Sequence, residues 1–343
     1  MRSSLRSSRR RGNKLSYCED KLFLKGVVIA IVNFIVMIML CNHLLDDSSD
    51  ASDASSSLNV QADSGVALVP AAIATVGYAI SVTQCGGGRS GDTTAGLFDG
   101  PAVLAHSIHM NSIRNNDNND EKGSMFDYRL YAFVHPIALN CSQGLEQLGY
   151  QVMVKDTPIQ TAEIKNEWFK EKVVKSGCCN EREFLKLYSY TLMQHEIVVH
   201  LDMDTLILQP LDDLFHSMLQ TPQSTEARSR LPVMFDTPLP NQIDAFFTKD
   251  YNMVQPGKPP DKVGVQGGFL VVRTSMEKYE EYRQIILEAN FGPMAGWGKL
   301  GYGGYFGAMQ IQGLCSYFYG HVHPGTGVEL NRCNYNSMAD PPK

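Results

Sequence analysis

The amino-acid sequence predicts an α/β fold that follows a single N-terminal transmembrane helix. From about residue 71 onward, apolar strand-like segments alternate with helix-like segments, a pattern typical of a parallel sheet covered on both faces. Ahead of them, the apolar run GVVIAIVNFIVMIMLCNHLL occupies residues 26–45. One of the most apolar strand-like segments ends on two aspartates, Asp202 and Asp204. Since ligands on such sheets gather at the carboxyl ends of the strands, the sequence predicts a site there.

The N-terminal region predicts a type II membrane topology. Residues 1–21 form a basic tail, and residues 22–45 are long enough and apolar enough to cross a bilayer as a helix. Because basic flanks stay in the cytosol, we expect everything after this span to face a lumen. The alternative is a cleaved signal peptide, which the long basic segment and the lack of a small-residue cleavage site disfavour.

The segment after the predicted span has the composition of a flexible stem. Residues 46–70 begin with DDSSDASDASSS, which contains no apolar residue larger than alanine and cannot form a core. We therefore expect residues 46–70 to hold a folded domain, residues 71–343, away from the membrane.

Composition limits the function classes. The 343 residues carry a net charge of -6 and are 43% hydrophobic, so the chain can bury a sizeable core. Proteins that bind nucleic acid usually present a basic face, and the negative net charge of this chain does not suggest one.

The cysteines predict disulfides but not their pairing. Eight are present, and the six beyond the predicted span allow about 15 connectivities. None has the CxxC spacing of a structural zinc site. Asn140 begins an Asn-Cys-Ser glycosylation acceptor, which is consistent with a lumenal domain.

Strands and helices are predicted in alternation along the domain. The predicted strands are residues 72–82, 128–134, 150–156 and 196–201, and the predicted helices are residues 99–113, 140–148 and 181–194. Two loops interrupt them, CGGGRSGDTTAG at 85–96 and NNDNNDEKG at 115–123. Neither is a P-loop; the first is either a turn near a ligand's phosphates or a surface loop.

The two aspartates predict a metal site. Side chains alternate along a strand, so Asp202 and Asp204 would project to the same side. Their mutual repulsion favours a bound cation, and Mn²⁺ or Mg²⁺ accepts such oxygen ligands. An EF-hand loop is excluded because Leu206 and Ile207 stand where an oxygen ligand and a glycine are required. The signature of an aspartate phosphatase is excluded because it requires Thr or Val where Leu206 stands. Turn or capping aspartates without a metal are the remaining alternative.

The residues around this pair carry a family resemblance. Residues 184–215, FLKLYSYTLMQHEIVVHLDMDTLILQPLDDLF, resemble the centre of glycogenin-like family 8 glycosyltransferases. The resemblance implies a GT-A fold, a Rossmann-like mixed sheet flanked by helices. It also implies that Lys186 contacts the donor's phosphates and that Asp202 and Asp204 bind the metal, with Asp202 also facing the donor.

Weaker matches flank this centre and together extend the resemblance over residues 71–343. The segment VQGGFLVVRTS resembles the strand that begins at a sugar-facing turn, QGLCSYFY resembles a helix that follows an aspartate, and ISVTQC resembles the first nucleotide-binding strand. The donor-binding residues implied in this way are Ser81, Thr83, Gln266, Gly267 and Gly268. Gln312 is the candidate near the reacting sugar.

This sequence departs from the family pattern at two positions, one assigned to catalysis and one to metal binding. Ile311 stands where the family has an aspartate, and no catalytic carboxylate is assigned in its place. The family's third metal ligand, a histidine, has no counterpart before Lys343, so either the sequence continues further or another group serves. By residue type alone the candidates are His200, His321 and His323, although a core histidine is the favoured interpretation of His200.

The glycine- and aromatic-rich segment 296–307 is predicted either to line an acceptor site or to pack as a loop.

The resemblance implies a Golgi glycosyltransferase. It would use Mn²⁺ or Mg²⁺ to transfer a sugar, with retention, from a nucleotide-sugar of the UDP type to a glycan, protein or lipid acceptor. The rivals are a catalytically inactive sugar-nucleotide or glycan binder and, less favoured, a metal-dependent phosphohydrolase.

Overall fold

The computed structural model describes residues 74–85, 98–113, 123–254 and 257–337. These all belong to one compact unit, Pro70–Lys343. The predicted tail, span and stem (1–21, 22–45 and 46–70) and most of both interrupting loops lie outside the described residues. Within the described ranges, no helix has the length and apolarity needed to cross a bilayer.

Nine strands are present in the described residues, seven of them in one sheet of order β3-β2-β1-β4-β6-β5-β9 and two in a small hairpin, β7-β8. In chain order they are β1 (Thr75–Val82), β2 (Asp127–Val134), β3 (Tyr150–Val154), β4 (Ile197–Leu201), β5 (Ala245–Lys249), β6 (Val265–Arg273), β7 (Phe291–Gly292), β8 (Gly296–Trp297) and β9 (Gly327–Glu329).

Helices of three kinds connect these strands. The α-helices are α1 (Asp99–Ser112), α2 (Glu167–Val173), α3 (Asp212–Met218), α4 (Ser224–Arg230), α5 (Met276–Glu288) and α6 (Ile311–Tyr317). The 3-10 helices are Pro136–Cys141, Thr161–Glu163, Asn180–Thr191 and Pro260–Lys262, and a π-helix, Phe318–Val322, follows α6. The 3-10 helix Asn180–Thr191 is called the site helix below.

The sheet is mixed, which confirms the mixed sheet that the family resemblance implies and corrects the purely parallel sheet that strand–helix alternation alone predicts. Strands β1 to β4 are parallel, but β6 runs antiparallel to β4 and to β5. The register pairs Leu201 with Phe269. Because β6 starts where β4 ends, the first residues of β6 lie at the same edge as the carboxyl end of β4.

Each face of the sheet supports its own apolar core. On one face the core includes Tyr78 and Ile80 of β1 together with residues of α1 and α3. On the other face it includes Ala79 together with residues of the site helix, α5 and α6. Neighbouring β1 side chains enter opposite cores because side chains alternate along a strand. Burial on both faces explains why β1 is apolar almost throughout.

Two predicted helices are not α-helices. Residues 140–148 begin at the end of the 3-10 helix Pro136–Cys141 and continue mainly as turns, and residues 181–194 fall largely in the site helix. In the site helix, two sets of buried residues each recur every three positions, the period of a 3-10 helix, and Leu185 is buried as well. The set that enters the apolar core is Phe184, Leu187 and Tyr190, and a second buried set is Glu183, Lys186 and Ser189.

Candidate functional site

The candidate site lies where β4 ends, β6 begins and the site helix crosses them, and its centre is the ammonium group of Lys186. Lys186 Nζ donates to Asp202 Oδ1 at 2.8 Å and to the carbonyl oxygen of Gly267 at 2.8 Å. Glu183 Oε1 lies 3.6 Å from the same nitrogen. Only 8% of the Lys186 side chain is exposed, against 43% for Asp202. A buried cation is thus held directly behind a carboxylate that reaches solvent.

The charges at this centre adjust one another's pKa values. Burial by itself would lower the pKa of Lys186, but Asp202 and Glu183 overcome it and raise that pKa above its usual value. Burial would raise the pKa of Asp202, but Lys186 outweighs it and lowers that pKa. For Glu183, burial dominates and raises the pKa despite the nearby ammonium group. Lys186 and Asp202 therefore form a charged pair at neutral pH.

Two consecutive glycines let β6 approach these charges. A Cβ atom on Gly268 would lie 2.6 Å from Asp202 Oδ2, and one on Gly267 would lie 3.2 Å from Glu183 Oε1. Any side chain at Gly268 would therefore displace the Asp202 carboxylate. The Gln266 side chain makes a local hydrogen bond at the start of β6, where its Oε1 accepts from the amide of Gly268.

The two aspartates do not share a strand face, so that premise of the metal prediction is wrong. The strand ends at Leu201, and residues 202–205 form a turn in which the amide of Thr205 donates to the carbonyl of Asp202 at 3.1 Å. The Asp204 side chain is exposed. The turn packs closely on α1, since a Cβ atom on Gly100 would lie 2.6 Å from the carbonyl oxygen of Met203.

The two aspartates supply the kind of ligand that a hard divalent cation prefers, but only part of its coordination sphere. Asp202 and Asp204 offer carboxylate oxygens at an open strand end, the ligand type that Mg²⁺ and Mn²⁺ prefer. Among the described residues, however, no three His, Cys, Asp or Glu side chains cluster so as to hold an ion. The two carboxylates would therefore leave the other coordination positions to a bound ligand and water.

His200 is a core residue, which confirms the interpretation favoured from the sequence. It is fully buried, its Nδ1 shares a hydrogen bond with Ser189 Oγ at 2.8 Å, and its Nε2 shares one with Ser81 Oγ at 3.3 Å. Burial, aided by the charge of Lys186, lowers the pKa of His200 to about 3. With both ring nitrogens occupied, His200 has no lone pair to offer a metal.

The other two histidines have partners elsewhere. His323 Nε2 pairs with Glu281 on α5, and the His321 ring stacks on Tyr317.

Ser81 at the end of β1 and Thr83 just after it, both predicted to bind the donor, are partly engaged in other contacts. Ser81 uses its hydroxyl on His200, while the carbonyl of Thr83 accepts from Arg182 Nη1 of the site helix at 3.1 Å. The Thr83 side chain is half-buried. Both residues therefore tie the end of β1 to elements of the site.

Gln312 enters the same region from α6. Its Cγ would lie 3.6 Å from a Cβ atom on Gly267, and its Oε1 is buried without a hydrogen-bond partner. A side chain at Gly307, which has φ 74°, would collide with that oxygen. Ile311 is fully buried in the apolar core, so an aspartate there would meet apolar neighbours.

Segment 296–307 contributes both core and surface. Trp297 and Tyr302 are fully buried, and Trp297 Nε1 donates to the carbonyl of Ala308 at 2.8 Å. Leu300 and Phe306 are exposed. Loop packing thus accounts for the first pair of aromatic residues, and the acceptor interpretation stays a prediction for the exposed pair.

Sequence reasoning missed Glu183 and the cysteine pairing. The three-residue spacing from Glu183 to Lys186 was visible and would place the two side chains on one face of a helix, but it was not used as a signal. Cys85 and Cys141 form a disulfide, a pairing that sequence did not choose. Free thiols in the described chain are Cys178 and Cys179, whose sulfurs lie 2.9 Å apart just before the site helix, and the buried Cys315.

Comparisons with known proteins give weak similarities only. No family model matches the chain, and no curated protein matches its sequence. Among solved structures, mouse xyloside xylosyltransferase 1 is similar at 12% identity over 76% of this chain and 85% of that chain, with a TM-score of 0.40. WbbM, a bifunctional glycosyltransferase, is similar at 13% identity over 77% of this chain and 40% of that chain, with a TM-score of 0.37.

A third solved structure, the glycosyltransferase GlyE of Streptococcus pneumoniae, is similar at 11% identity over 76% of this chain and 45% of that chain, with a TM-score of 0.34. The matched part therefore makes up less than half of WbbM and of GlyE. At these identities and TM-scores, the likeness identifies neither a family nor an activity.

Proposed function

We propose that this protein is a metal-dependent glycosyltransferase that transfers a sugar from a nucleotide-sugar of the UDP type to a glycan, protein or lipid acceptor. The observation that carries the proposal is the contact between Lys186 and Asp202 at the open end of β4. A buried ammonium group beside a solvent-facing carboxylate suits a ligand that brings both phosphate and a metal ion. The sequence resemblance supplies the reaction class, a transfer with retention.

The chain's own part in this reaction is electrostatic. Lys186 is fixed by two hydrogen bonds before any ligand arrives, so its positive charge needs no reorganisation to face a leaving diphosphate. Asp202 and Asp204 would hold Mn²⁺ or Mg²⁺. When bound, such an ion supplies Lewis-acid stabilisation of the diphosphate. Ser81, Thr83 and Gln266 would shape the donor site through the backbone around them.

Gly267 and Gly268 let a ligand approach the backbone of β6, because neither places a Cβ atom in the way. Gln312, whose side-chain oxygen has no partner, would face the sugar. Ile311 cannot serve as a carboxylate there.

We further propose that the domain works in the Golgi lumen, anchored by residues 22–45. The Cys85–Cys141 disulfide favours an oxidising compartment. Protease added to intact microsomes is expected to remove only the basic tail, and digestion of the domain from outside would contradict this topology.

The activity is tested with the full-length chain in detergent, a panel of nucleotide-sugars, and Mn²⁺ either present or chelated. We expect donor turnover that requires the ion, and we expect its loss in Lys186→Ala. Turnover that is unaffected by chelation, or an intact rate in Lys186→Ala, would overturn the proposal.

A second candidate is a sugar-nucleotide or glycan binder of the same fold without catalysis. It is favoured by the buried Ile311 and by the two-carboxylate donor set in the described chain. Tight metal-dependent binding of UDP, with no turnover of any donor on the panel, would select this candidate.

A further inference from the structure

Cys178 and Cys179 are consecutive cysteines whose sulfur atoms face each other. In an extended chain, successive side chains point to opposite sides. Here the two sulfurs lie 2.9 Å apart, against about 2.05 Å in a disulfide bond. The turn that holds the pair is flanked by two left-handed residues, Gly177 with φ 68° and Asn180 with φ 58°. Because this turn places both sulfurs on one side of the chain, the two thiols are arranged to react with each other.

The pair can be reached from solvent. Cys178 is exposed, and Cys179, which directly precedes the site helix, is half-buried. The other free thiol of the described chain, Cys315, is only 1% exposed and accepts a hydrogen bond from the Tyr282 hydroxyl. A dissolved reagent therefore has access to the pair and not to Cys315.

The two neighbouring thiols differ in how readily they lose a proton. The hydrogen bond with Cys178 is the main influence on Cys179 and lowers its pKa to about 6, although burial opposes it; a hydrogen bond with Thr83 acts in the same direction. The same contact raises the pKa of Cys178. Since thiolates rather than thiols attack disulfides, Cys179 is the attacking group at neutral pH.

We propose that Cys178 and Cys179 are a site of reversible oxidation, which closes to a disulfide between neighbouring residues by exchange with a small-molecule disulfide. This inference does not depend on the proposed function. The competing role is a permanent structural link. Consecutive Cα atoms are about 3.8 Å apart, closer than the roughly 4.4–6.8 Å of ordinary disulfides, so the closed form is strained and easily reduced. Such disulfides are the labile ones, which favours reversible closure.

The exchange has two steps. The Cys179 thiolate attacks one sulfur of the small disulfide, forms a mixed disulfide and expels a thiolate, which takes up the proton that Cys179 gave to solvent. The new bond removes the contact that raises the pKa of Cys178. Cys178 then gives up its proton and attacks the Cys179 sulfur, which expels a second thiolate. Two protein thiols are oxidised to one disulfide while one small disulfide is reduced to two thiols, and excess small thiol reverses both steps.

The test equilibrates the full-length chain in detergent with glutathione and glutathione disulfide in set ratios. Free thiols are then blocked with N-ethylmaleimide, and mass spectrometry of the tryptic peptide 176–182, SGCCNER, reports on both cysteines together. The closed form carries no maleimide and is lighter than the dithiol by two hydrogen atoms. We expect the ratio of closed to open peptide to rise about tenfold for each tenfold rise in glutathione disulfide at fixed glutathione.

The chain supplies its own controls for this measurement. The Cys85–Cys141 disulfide should stay closed in every buffer, as structural disulfides resist glutathione. Cys178→Ser removes the second thiol, so Cys179 should stop at the mixed disulfide with glutathione. Ser176→Ala changes the same peptide but keeps both thiols, and it should leave the ratio unchanged.

Three outcomes would overturn the assignment. The first is mixed disulfides with glutathione, or unreacted thiols, without any closed peptide at the highest ratio. The second is a closed peptide that excess glutathione does not open, which would identify a permanent link. The third is a cross-link from Cys178 or Cys179 to another cysteine of the chain.

Discussion

Gly268 and Asp202 are in direct contact across the two strands that meet at the site. The amide of Asp202 donates to the carbonyl of Gly268 at 3.0 Å, and a Cβ atom on Gly268 would lie 2.6 Å from Asp202 Oδ2. Real Cβ atoms do not come this close, so the position of the carboxylate depends on the absence of a side chain on β6.

Gly268→Ala is therefore expected to displace the Asp202 carboxylate and to weaken Mn²⁺-dependent UDP binding by about tenfold or more, the loss expected for one misplaced charged contact. Gly292→Ala in β7 is the control, because its Cβ atom would lie 3.4 Å from the Ala295 Cβ atom, an ordinary contact outside the site. Calorimetric titration with UDP measures both. Similar UDP affinities in the two variants would contradict the direct contact.

Lys186→Ala is expected to weaken UDP binding and also to lower the free energy of unfolding by about 3 kcal/mol. Lys186 is buried between Asp202 and Glu183, and removing one partner of a buried ion pair leaves charge uncompensated. Adding Glu183→Gln to this variant should restore part of the stability but none of the binding. Urea unfolding and UDP titration separate the two effects, and a fully stable single variant would show that the charges are solvated.

Asp204→Asn is expected to leave the stability of the ligand-free protein within about 0.5 kcal/mol, because the side chain is exposed. The same change should remove most of the rise in melting temperature that Mn²⁺ and UDP together produce in the wild type, since a ligand stabilises only the state that binds it. Asp236→Asn, another exposed aspartate, is the control. Equal thermal shifts in both variants would mean that Asp204 holds no metal.

Replacing Cys85 and Cys141 with alanine is expected to lower the free energy of unfolding by roughly 4 kcal/mol, the chain-entropy value for a loop of this size. The two cysteines are 56 residues apart in sequence. Reductant should destabilise the wild type and leave the double variant unchanged. A double variant as stable as the oxidised wild type would show that the loop is already restrained by its packing.

Acid is expected to destabilise the fold as the pH falls below about 6.5, the ordinary pKa of histidine. Burial lowers the pKa of His195, and the same cause lowers that of His135, His200 and His216. The unfolded chain then takes up protons that the folded chain refuses, so stability present above pH 6.5 is lost toward acid.

Urea unfolding at pH 7.0 and 5.0 measures this dependence. His195→Gln should reduce it, because it removes one titrating group whose nitrogens bond Tyr131 and the carbonyl of Thr75. An unchanged dependence would show that His195 titrates alike in both states.

The sequence by itself predicted β1 to β4 and their alternation with helices, and it showed that two carboxylates follow β4, whereas β5, β7, β8 and β9 were not predicted. These features follow from short-range patterns: apolar runs fix β1 and β4, and two carboxylates after an apolar strand mark a strand end. Lys186 was also indicated by sequence, through its place in a recognisable segment.

Only the tertiary structure decided how the site is assembled. The antiparallel pairing of β4 with β6 joins residues more than sixty positions apart, and it alone brings Gly267 and Gly268 to Lys186 and Asp202. Glu183 and Lys186, three residues apart in the site helix, share one helix face, and packing against β6 brings both side chains to Gly267. Local apolar periodicity specifies which residues are buried. The direction of a paired strand and the period of a short helix depend instead on the elements packed against them, because their burial and hydrogen bonds involve distant parts of the chain.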